Sequence, residues 1–448
     1  MSNQSKLNAR DRVAKLLDQG SFVAPDKLMA AAGVVAGYGT VQDRPVYLFA
    51  QDQTVKGGAM GVAQAAKIIK VLELAQKTGA PVIAMCDSNG VRLDEGAAAM
   101  NAYAQVYAKM AKMSGVCPMI AVISGPALGG AALISQLCDV SIMVEKTGVM
   151  GVYGSQVMSA VTGKTYTDET AGGAAAMAKQ GGAMLTAEDE DAAIALAVKL
   201  LDLLPSCNND DADIIDNDDM NRLLPAIDAA DAQAQLTNMA DCGDFVELYK
   251  DWGKEIRVAL ARIGGRSCGL VVSDASVNDG MLTASAASKA ARFIRLCDCY
   301  SLPVVSMINS KGVAVPAVED QANTMVSVSQ LLYAYAEATC AKVSVITGNA
   351  IGQAYVAMAG KGIADAAYAW NGAVISALTP EAAVQVLYTD DLKNDKKPAL
   401  ESRADLQKKF ASEVADGKAA AAQGMIDDVI DVAQTRKMVI AAIEMLAA

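Results

Sequence analysis

The chain carries one pattern twice, and this repeat constrains its fold more than any other feature. Residues 79–91, GAPVIAMCDSNGV, align with residues 301–313, SLPVVSMINSKGV, at a constant offset of 222 positions. Residues 123–131, ISGPALGGA, align with residues 346–354, ITGNAIGQA, at an offset of 223, with five of nine positions identical. Two matches in the same order and at nearly equal offsets indicate that the chain consists of two homologous halves.

A polar segment separates the two halves. Residues 207–219 hold six Asp and three Asn, a composition typical of a solvated linker or surface loop. A cation site is the alternative for this acidic stretch. A length of 448 residues exceeds one ordinary hydrophobic core and suggests two or three domains. Because of the repeat we predict two, residues 1–215 and residues 216–448.

Each half alternates helical and strand patterns. A long helical segment precedes an apolar strand, and a second short strand leads into a glycine-rich turn that opens another helix. This alternation predicts an α/β fold with parallel strand pairing. The predicted helices are 63–77 and 284–299, and the predicted strands are 81–86, 119–123, 303–308 and 343–346.

An uncharged run at residues 116–137 is long enough to cross a bilayer. Prolines and glycines interrupt this run, and a parallel strand that is buried on both faces is also apolar throughout. We therefore interpret it as a buried strand, a glycine turn and a helix. The polar start of the chain carries no signal peptide, so we expect a cytoplasmic location.

The composition excludes several classes of function. The chain has no His, which rules out a Ser-His-Asp triad and His-ligated metals, and we expect no metal site. A net charge of −12 argues against nucleic acid as a partner, because binding it needs a concentrated basic face. Nine Cys residues without a CxxC pair predict buried free thiols in a reducing compartment rather than disulfides or structural zinc.

The glycine-rich turn at residues 124–131 lies between a predicted strand and the start of a helix. N–H groups at a helix N-terminus lack intrahelical acceptors and favour negative charge, so this turn can hold a phosphate or a developing oxyanion. It lacks the Walker ending Gly-Lys-Ser/Thr and the dinucleotide pattern GxGxxG. Its repetition in the second half predicts two backbone oxyanion holes, which suit enolate chemistry without His.

Several motifs resemble those of the carboxyltransferase subunits of biotin-dependent acyl-CoA carboxylases and decarboxylases, such as propionyl-CoA carboxylase beta and methylmalonyl-CoA decarboxylase alpha. The similarity runs in order over nearly the whole chain, from residues 16–23 to residues 422–430. The motifs are QDQTVKGG at 51–58, DSNGVR at 87–92, GPALGGA at 125–131, AARFIRLCD at 290–298, LYAYAEAT at 332–339 and YAW at 368–370.

This resemblance implies two tandem crotonase-like domains, with acyl-CoA bound by the first half and biotin by the second. It also implies a homo-oligomer, a hexamer or a dimer, with active sites shared between subunits. One oxyanion hole would stabilise the thioester enolate and the other the ureido enolate of biotin. Their amide donors would be Gly129 and Gly130 in the first half and Gln353 and Ala354 in the second. The residues expected to contact substrate are Gly90, Gly125, Ala127, Gly312 and Gly352.

The second half departs from the family pattern. Gln353 stands where the family has Gly, and the turn at residues 309–315 differs from the usual Pro-Gly-Phe type. No Met-Lys-Met biotinylation motif occurs, because the similar KMAKM at residues 109–113 belongs to a predicted helix. We therefore expect biotin to arrive on a separate carrier protein.

Two kinds of enzyme fit this resemblance. A carboxylase would work with a biotin carboxylase subunit, and a sodium-pumping decarboxylase would work with a membrane subunit; the compact, divergent sequence favours the decarboxylase. The expected substrate is an acyl-CoA of the malonyl-, methylmalonyl- or glutaconyl-CoA type. The alternatives are a biotin-free crotonase-like hydratase, hydrolase or decarboxylase, with Asp94 or Glu95 as its carboxylate, and a non-catalytic scaffold subunit.

Overall fold

Two sheets organise the chain, one in each of the units into which its contacts divide it. The computed structural model describes residues 7–25, 27, 32–389 and 399–446. The units are Met1–Asp213 and Ile214–Ala448, so the division falls inside the acidic segment 207–219 and beside the predicted boundary. The assignment of acyl-CoA to the first half and biotin to the second stays a prediction.

The first unit contains a mixed seven-stranded sheet. Its strands are β1 (Val34–Val41), β2 (Arg44–Gln51), β3 (Val82–Ser88), β4 (Met119–Leu128), β5 (Val140–Val144), β6 (Val149–Gly151) and β7 (Leu185–Ala187). Its helices are α1 (Ala9–Leu16), α2 (Val62–Thr78), α3 (Ala97–Met113), α4 (Gly130–Leu137), α5 (Ser155–Thr162), α6 (Asp168–Gly172), α7 (Ala174–Lys179) and α8 (Glu190–Leu203). The strand order is β1-β2-β3-β4-β5-β7, and β6 pairs with β4. β1 pairs antiparallel with β2, and the following pairs are parallel.

The second unit contains an eight-stranded sheet. Its strands are β8 (Phe245–Leu248), β9 (Ile256–Ile263), β10 (Arg266–Ser273), β11 (Val304–Ser310), β12 (Lys342–Ile351), β13 (Ala366–Trp370), β14 (Val374–Ser376) and β15 (Asp428–Ile430). Its helices are α9 (Ala232–Met239), α10 (Ala284–Cys299), α11 (Gln321–Glu337), α12 (Gly352–Ala357), α13 (Pro380–Leu387), α14 (Ala399–Glu413), α15 (Gly417–Ala422) and α16 (Thr435–Leu446).

The second sheet repeats the topology of the first. Its order is β15-β13-β12-β11-β10-β9-β8 with β14 paired to β12, so β9 to β15 correspond one by one to β1 to β7. β8 is an addition at the antiparallel edge, where it pairs with β9. The predicted α/β class and the duplication are therefore confirmed. The predicted helix 284–299 matches α10, and α2 extends one residue beyond the prediction at each end.

The strand before each glycine turn is longer than predicted. Residues 120–123 of β4 pair with β5, whereas residues 126–128 pair with β6, so the strand changes its neighbour halfway. Pro126, which has no N–H for a sheet ladder, begins the second pairing. The same change occurs in β12 between β13 and β14. The turn predicted from residue 124 therefore starts only at Gly129, because the sheet continues to bind the chain up to Leu128.

Helices contact the first sheet through a shared apolar core. Val82, Ala84 and Cys86 of β3 belong to one buried cluster with Ile68 of α2 and Val106 of α3. These are alternate positions of β3, and alternate residues of a strand face the same side of its sheet. Helix α8 contacts β4, β5 and β7. This packing fixes the ends of β3 and β4, where the predicted site residues lie.

The uncharged run at residues 116–137 forms β4 and α4. Within the part of the chain that the structure describes, no helix has both the length and the apolarity needed to cross a membrane. The nine cysteines are free thiols, and seven of them are buried. Cys242 and Cys299 are exposed, so the expectation of burial is wrong for these two.

Candidate active site

A cavity of about 850 Å³ lies in the first unit where β3, β4 and β6 end. Three residues predicted to act there, Gly90, Gly129 and Gly130, line its wall. The other lining residues are Asn89, Val91, Met100, Tyr103, Ala104, Tyr107, Leu128, Leu133, Val152, Tyr153, Gly154, Ser155, Gln156, Val157 and Asp168. The cavity therefore combines an apolar wall with two segments of exposed backbone.

The first of these backbone segments follows β3. The Met60 N–H donates to the Gly90 carbonyl at 2.9 Å, and the Arg92 N–H donates to the Met60 carbonyl at 3.0 Å. A trans peptide holds its C=O and N–H on opposite sides, so the Val91 N–H points away from Met60. No acceptor among the described residues takes up this N–H. Val91 was not among the predicted site residues, because a backbone donor leaves no mark in the residue type.

The second backbone segment is the turn between β4 and α4. Gly129 has a φ of 58°, a left-handed conformation that favours glycine, and Gly130 is the first residue of α4. The Gly129 N–H donates to the Gly151 carbonyl at 2.9 Å, so in this structure the β6 pairing occupies it. The Gly130 N–H belongs to the first turn of the helix, where no intrahelical acceptor is available. Gly129 thus contributes the bend, and Gly130 contributes the free donor.

Two tyrosines of α3 contact both backbone segments. The Tyr103 hydroxyl donates to the Gly90 carbonyl at 2.9 Å, and the Tyr107 hydroxyl donates to the Gly130 carbonyl at 3.0 Å. Burial raises the pKa of both phenols, so both remain protonated donors near neutral pH. Sequence reasoning missed this pair, since tyrosines at helical spacing commonly belong to a hydrophobic core.

The remaining predicted contacts of the first half lie in the sheet. Gly125 and Ala127 are residues of β4, and neither lines the cavity. Ala127 is buried and pairs with Ser88 and Met150 on either side. Their direct contact with substrate stays a prediction without support from the cavity.

The second unit has a smaller cavity at the corresponding place. It measures about 450 Å³ and includes Gln353. Gly312, Gly352 and Ala354, which were predicted to act here, do not line it. The other lining residues are Val313, Pro316, Gln321, Thr324, Met325, Val328, Ser329, Leu332, Val356 and Ala357. The lining is thus largely apolar, with a few neutral polar side chains.

The backbone of the second cavity matches that of the first. The Leu282 N–H donates to the Gly312 carbonyl at 3.0 Å, and the Ala314 N–H donates to the Leu282 carbonyl at 2.9 Å. The Val313 N–H therefore points away from Leu282, as the Val91 N–H points away from Met60. Gly352 has a φ of 58°, the value found at Gly129, and Gln353 follows it within α12. Each unit thus brings one loop peptide and one helix start to a cavity.

Ionisable side chains are scarce at both cavities. Asp168 is the one carboxylate in the lining of the first, and it accepts a hydrogen bond from the Ser155 hydroxyl at 2.5 Å. Asp94 and Glu95 line neither described cavity: Asp94 pairs with Lys56 at 2.6 Å, and Glu95 accepts from the Val62 N–H at 2.7 Å. Among the described residues, no three His, Cys, Asp or Glu side chains form a group that could hold a metal ion. The arrangement can stabilise negative charge through neutral backbone donors.

Comparison with known proteins places these features in one family. The family model described as the carboxyl transferase domain matches residues 2–448. Methylmalonyl-CoA decarboxylase subunit alpha of Veillonella parvula is 37% identical over 470 residues, covering 99% of this chain and 91% of that protein. The 12S subunit of methylmalonyl-CoA carboxyltransferase of Propionibacterium freudenreichii subsp. shermanii is 36% identical over 471 residues, covering 99% and 89%.

A solved structure agrees with this sequence similarity. The crystal structure of transcarboxylase 12S, a hexamer assembly with methylmalonyl-coenzyme A and methylmalonic acid bound, aligns with a TM-score of 0.94 at 34% identity. The alignment covers 99% of this chain and 90% of that one. The expected tandem crotonase-like fold is thereby confirmed. The chain belongs to the carboxyl transferase domain family and is a carboxyltransferase.

Proposed function

We propose that this carboxyltransferase moves a carboxyl group between an acyl-CoA and biotin on a separate carrier protein. The observation that carries the proposal is the repeated constellation of a loop peptide and a glycine-initiated helix start, present once in each unit. A transfer between two carbonyl compounds creates negative charge on two oxygens, and each oxygen needs its own set of donors. A single-site hydrolase has no use for the second set.

The first cavity suits the acyl-CoA. When the carbon–carbon bond to the carboxylate breaks, CO₂ leaves and the electron pair moves onto the thioester oxygen. The N–H groups of Val91 and Gly130 would hold this oxygen without transferring a proton. The apolar side chains of Met100, Leu133 and Val157 line this cavity and are exposed, so a bound acyl-CoA that covers them would displace water and strengthen these hydrogen bonds. In the opposite direction the same donors hold the enolate oxygen while its carbon attacks CO₂.

We assign biotin to the second cavity because of its largely apolar lining. Biotin, when bound, supplies a ring nitrogen that accepts or releases the carboxyl group. The apolar residues Val313, Pro316 and Leu332 suit its hydrocarbon rings. The N–H groups of Val313 and Gln353, two residues of the cavity lining, would face its carbonyl oxygen. Ala354 does not line the cavity, and its role as a donor stays a prediction. The Gln353 side chain lies on the cavity wall, where the first unit has the side-chain-free Gly130.

The names of the relatives suggest which acyl-CoA is the substrate and which oligomer the chain forms. We propose an acyl-CoA of the malonyl type with methylmalonyl-CoA as first candidate, because that compound gives two of the relatives their names. We propose a hexamer, in analogy to the assembly of transcarboxylase 12S. We also propose a cytoplasmic location, which free thiols favour. Sedimentation of a stable monomer at micromolar concentration would contradict the hexamer.

The test is CO₂ release by the purified chain from malonyl-, methylmalonyl- and glutaconyl-CoA, each with and without free biotin. We expect release from one of them that depends on biotin. Such a result identifies the substrate as well as the reaction. Release that is equal with and without biotin would contradict carboxyl transfer, and absence of release from all three would support a non-catalytic scaffold.

A second candidate function rests on Asp168. This carboxylate lines the first cavity, so a crotonase-like hydratase, hydrolase or decarboxylase could use it as a general base. Asp94 and Glu95, the carboxylates that sequence reasoning had selected, are instead bound to Lys56 and Val62 outside the lining. Biotin-independent turnover that disappears in Asp168→Asn would establish this second function.

A further inference from the structure

Tyr103 and Tyr107 of α3 form hydrogen bonds to both backbone segments of the first cavity. We propose that these tyrosines are a pair of positioning residues that set the direction of the N–H donors for the thioester oxygen. The inference rests on the proposed function of the cavity as the acyl-CoA site. Two neutral side chains would thus position a site whose hydrogen-bond donors are backbone N–H groups.

The contacts of the pair are direct and partly shielded from water. The Tyr103 hydroxyl lies 2.9 Å from the Gly90 oxygen, and Tyr103 is 3% exposed. The Tyr107 hydroxyl lies 3.0 Å from the Gly130 oxygen. A spacing of four residues puts both rings on one face of α3, with ring centroids 5.8 Å apart and a tilt of 45°. One helix face thus reaches both backbone segments.

Tyr103 controls the loop peptide through its carbonyl. The Gly90 oxygen accepts hydrogen bonds from the Tyr103 hydroxyl, from the Met60 N–H and, at 3.4 Å, from the Ser88 hydroxyl, so three donors hold the plane of the peptide between Gly90 and Val91. Because this peptide is planar, holding the carbonyl also fixes the Val91 N–H on its other side. Donation to the carbonyl further polarises the peptide, which strengthens its N–H as a donor by about 10–30%.

The pair controls the helix start by contact. A Cβ added to Gly130 would lie 2.4 Å from Cε1 of Tyr103 and 2.7 Å from the hydroxyl oxygen of Tyr107. Both rings therefore press against the Gly130 backbone, and the hydroxyl of Tyr107 also binds its carbonyl. The first residue of α4 has little room to shift away from the cavity.

The second unit shows that the fold itself does not need the pair. The residues of α11 that line its cavity include no tyrosine: they are Gln321, Thr324, Met325, Val328, Ser329 and Leu332. The Thr324 hydroxyl donates to the Asp320 carbonyl just before the helix, and the Ser329 hydroxyl donates to the Val326 carbonyl within it. The Gly312 carbonyl nevertheless keeps its hydrogen bond to Leu282. We therefore relate the two tyrosine hydroxyls to the function of the first cavity and not to the stability of the fold.

The test uses Tyr103→Phe, Tyr107→Phe and the double variant, which keep the rings and remove the hydroxyls. Loss of one direct oxyanion donor lowers turnover by about 10²–10³, so we expect a smaller loss, about tenfold in kcat, for each single variant. We expect KM for the acyl-CoA to stay within about twofold, because the effect arises in the transition state. Tyr335→Phe is the matched control, since its buried hydroxyl binds Ser306 at 2.6 Å away from both cavities.

A second measurement does not depend on turnover. We expect amide hydrogen exchange over residues 88–92 and 128–131 to become faster in the tyrosine variants and to stay unchanged in Tyr335→Phe. Faster exchange together with lower kcat at constant KM supports the positioning role. Unchanged exchange, or faster exchange with full kcat, overturns it. If the wild-type chain transfers no carboxyl group but exchange responds as expected, the proposed function fails while the tyrosines still position the loops.

Discussion

The two units share one topology but stabilise the carboxyl ends of their strands differently. In the first unit Asp87, the last but one residue of β3, belongs to a buried ion cluster: Nη1 of Arg12 lies 2.9 Å from Asp87, and Nε of Arg12 lies 2.9 Å from Glu190. Burial alone would lower the pKa of Arg12, but these two carboxylates raise it overall. A charged network therefore connects α1, β3 and α8.

The second unit uses neutral amides at the corresponding place. Asn309 of β11 accepts a hydrogen bond from the Asn349 N–H at 2.9 Å and donates to the Ala229 carbonyl at 2.8 Å. Gln235 of α9 donates to the same carbonyl at 2.9 Å. The duplicated fold thus accepts either charged or neutral connections at its strand ends. The two units therefore have the same topology but different polar side chains at the ends of their strands.

The cavities differ in the same manner. In the first, Gly130 lies close to two tyrosines, whereas in the second Gln353 lines the same cavity as Thr324 and Val328. The first cavity thus has tyrosines on its helix and glycine at its turn, and the second has glutamine at its turn. The two halves therefore should not tolerate the same substitutions, and four changes test this asymmetry.

The largest effect is expected in the ion cluster of the first unit. Arg12→Met removes the cation shared by Asp87 and Glu190 and should lower the free energy of unfolding by about 3–5 kcal/mol. Urea unfolding measured by circular dichroism gives the value. Lys15→Met is the control, because its ion pair with Asp191 is exposed and should contribute less than about 1 kcal/mol. Equal losses would remove the distinction between the two units.

The next effect concerns the turn of the first cavity. Gly130→Gln introduces the residue that the second unit has at this position, Gln353. The new Cβ would lie 2.4 Å from Tyr103 and collide with it. Displacing one donor should lower turnover by about 10²–10³ while the oligomer persists. Gly362→Gln is the control, since a Cβ there would meet no described atom within 4 Å. Full activity of Gly130→Gln would disprove the role of this donor.

The third effect is a pH dependence of the free energy of unfolding that we expect from the second unit only. Burial lowers the pKa of Lys289 from 10.5 to about 7, and its ammonium donates to the Trp252 carbonyl at 2.7 Å. Between these values the unfolded chain binds the proton and the folded chain does not, so the contribution of Lys289 to stability should rise with pH by up to about 1.4 kcal/mol per unit. Lys289→Met should remove this slope.

The counterpart in the first unit is the control for that slope. Lys67 corresponds to Lys289 in the repeat and is only partly buried. Unfolding curves at pH 7, 8 and 9 for the wild type and both variants provide the comparison. A slope lost in Lys67→Met as well would show that the pH dependence does not come from the buried lysine.

The smallest effect is expected at Gln353. Gln353→Gly removes an exposed side chain from the second cavity and keeps the backbone N–H. Turnover should fall by less than about tenfold, which corresponds to about 1.4 kcal/mol. Initial rates with carrier-bound biotin are the measurement. A loss as large as that of Gly130→Gln would show that the amide side chain takes part directly, and the asymmetry would then need a different explanation.

Much of this architecture could be predicted from residue patterns. The repeat identified both halves, because apolar strands and helical periodicity leave regular marks in sequence. The continuation of β4 to Leu128 was not predictable, since the strand changes its partner at Pro126 and no local pattern shows which neighbour a strand will have. Gly129 was identified as a donor from its motif, yet its N–H is taken by Gly151, a contact set by tertiary structure.

The Val91 donor has a consequence for how variation in this chain should be read. The group that would face the thioester belongs to the main chain, and nearly every amino acid supplies the same N–H at that position. A scan of side-chain replacements would report how the Val91 side chain packs against the core and would not report the role of its N–H. Proline is the one exchange that deletes the donor outright. A replacement that keeps the N–H therefore does not test the proposed role of this position.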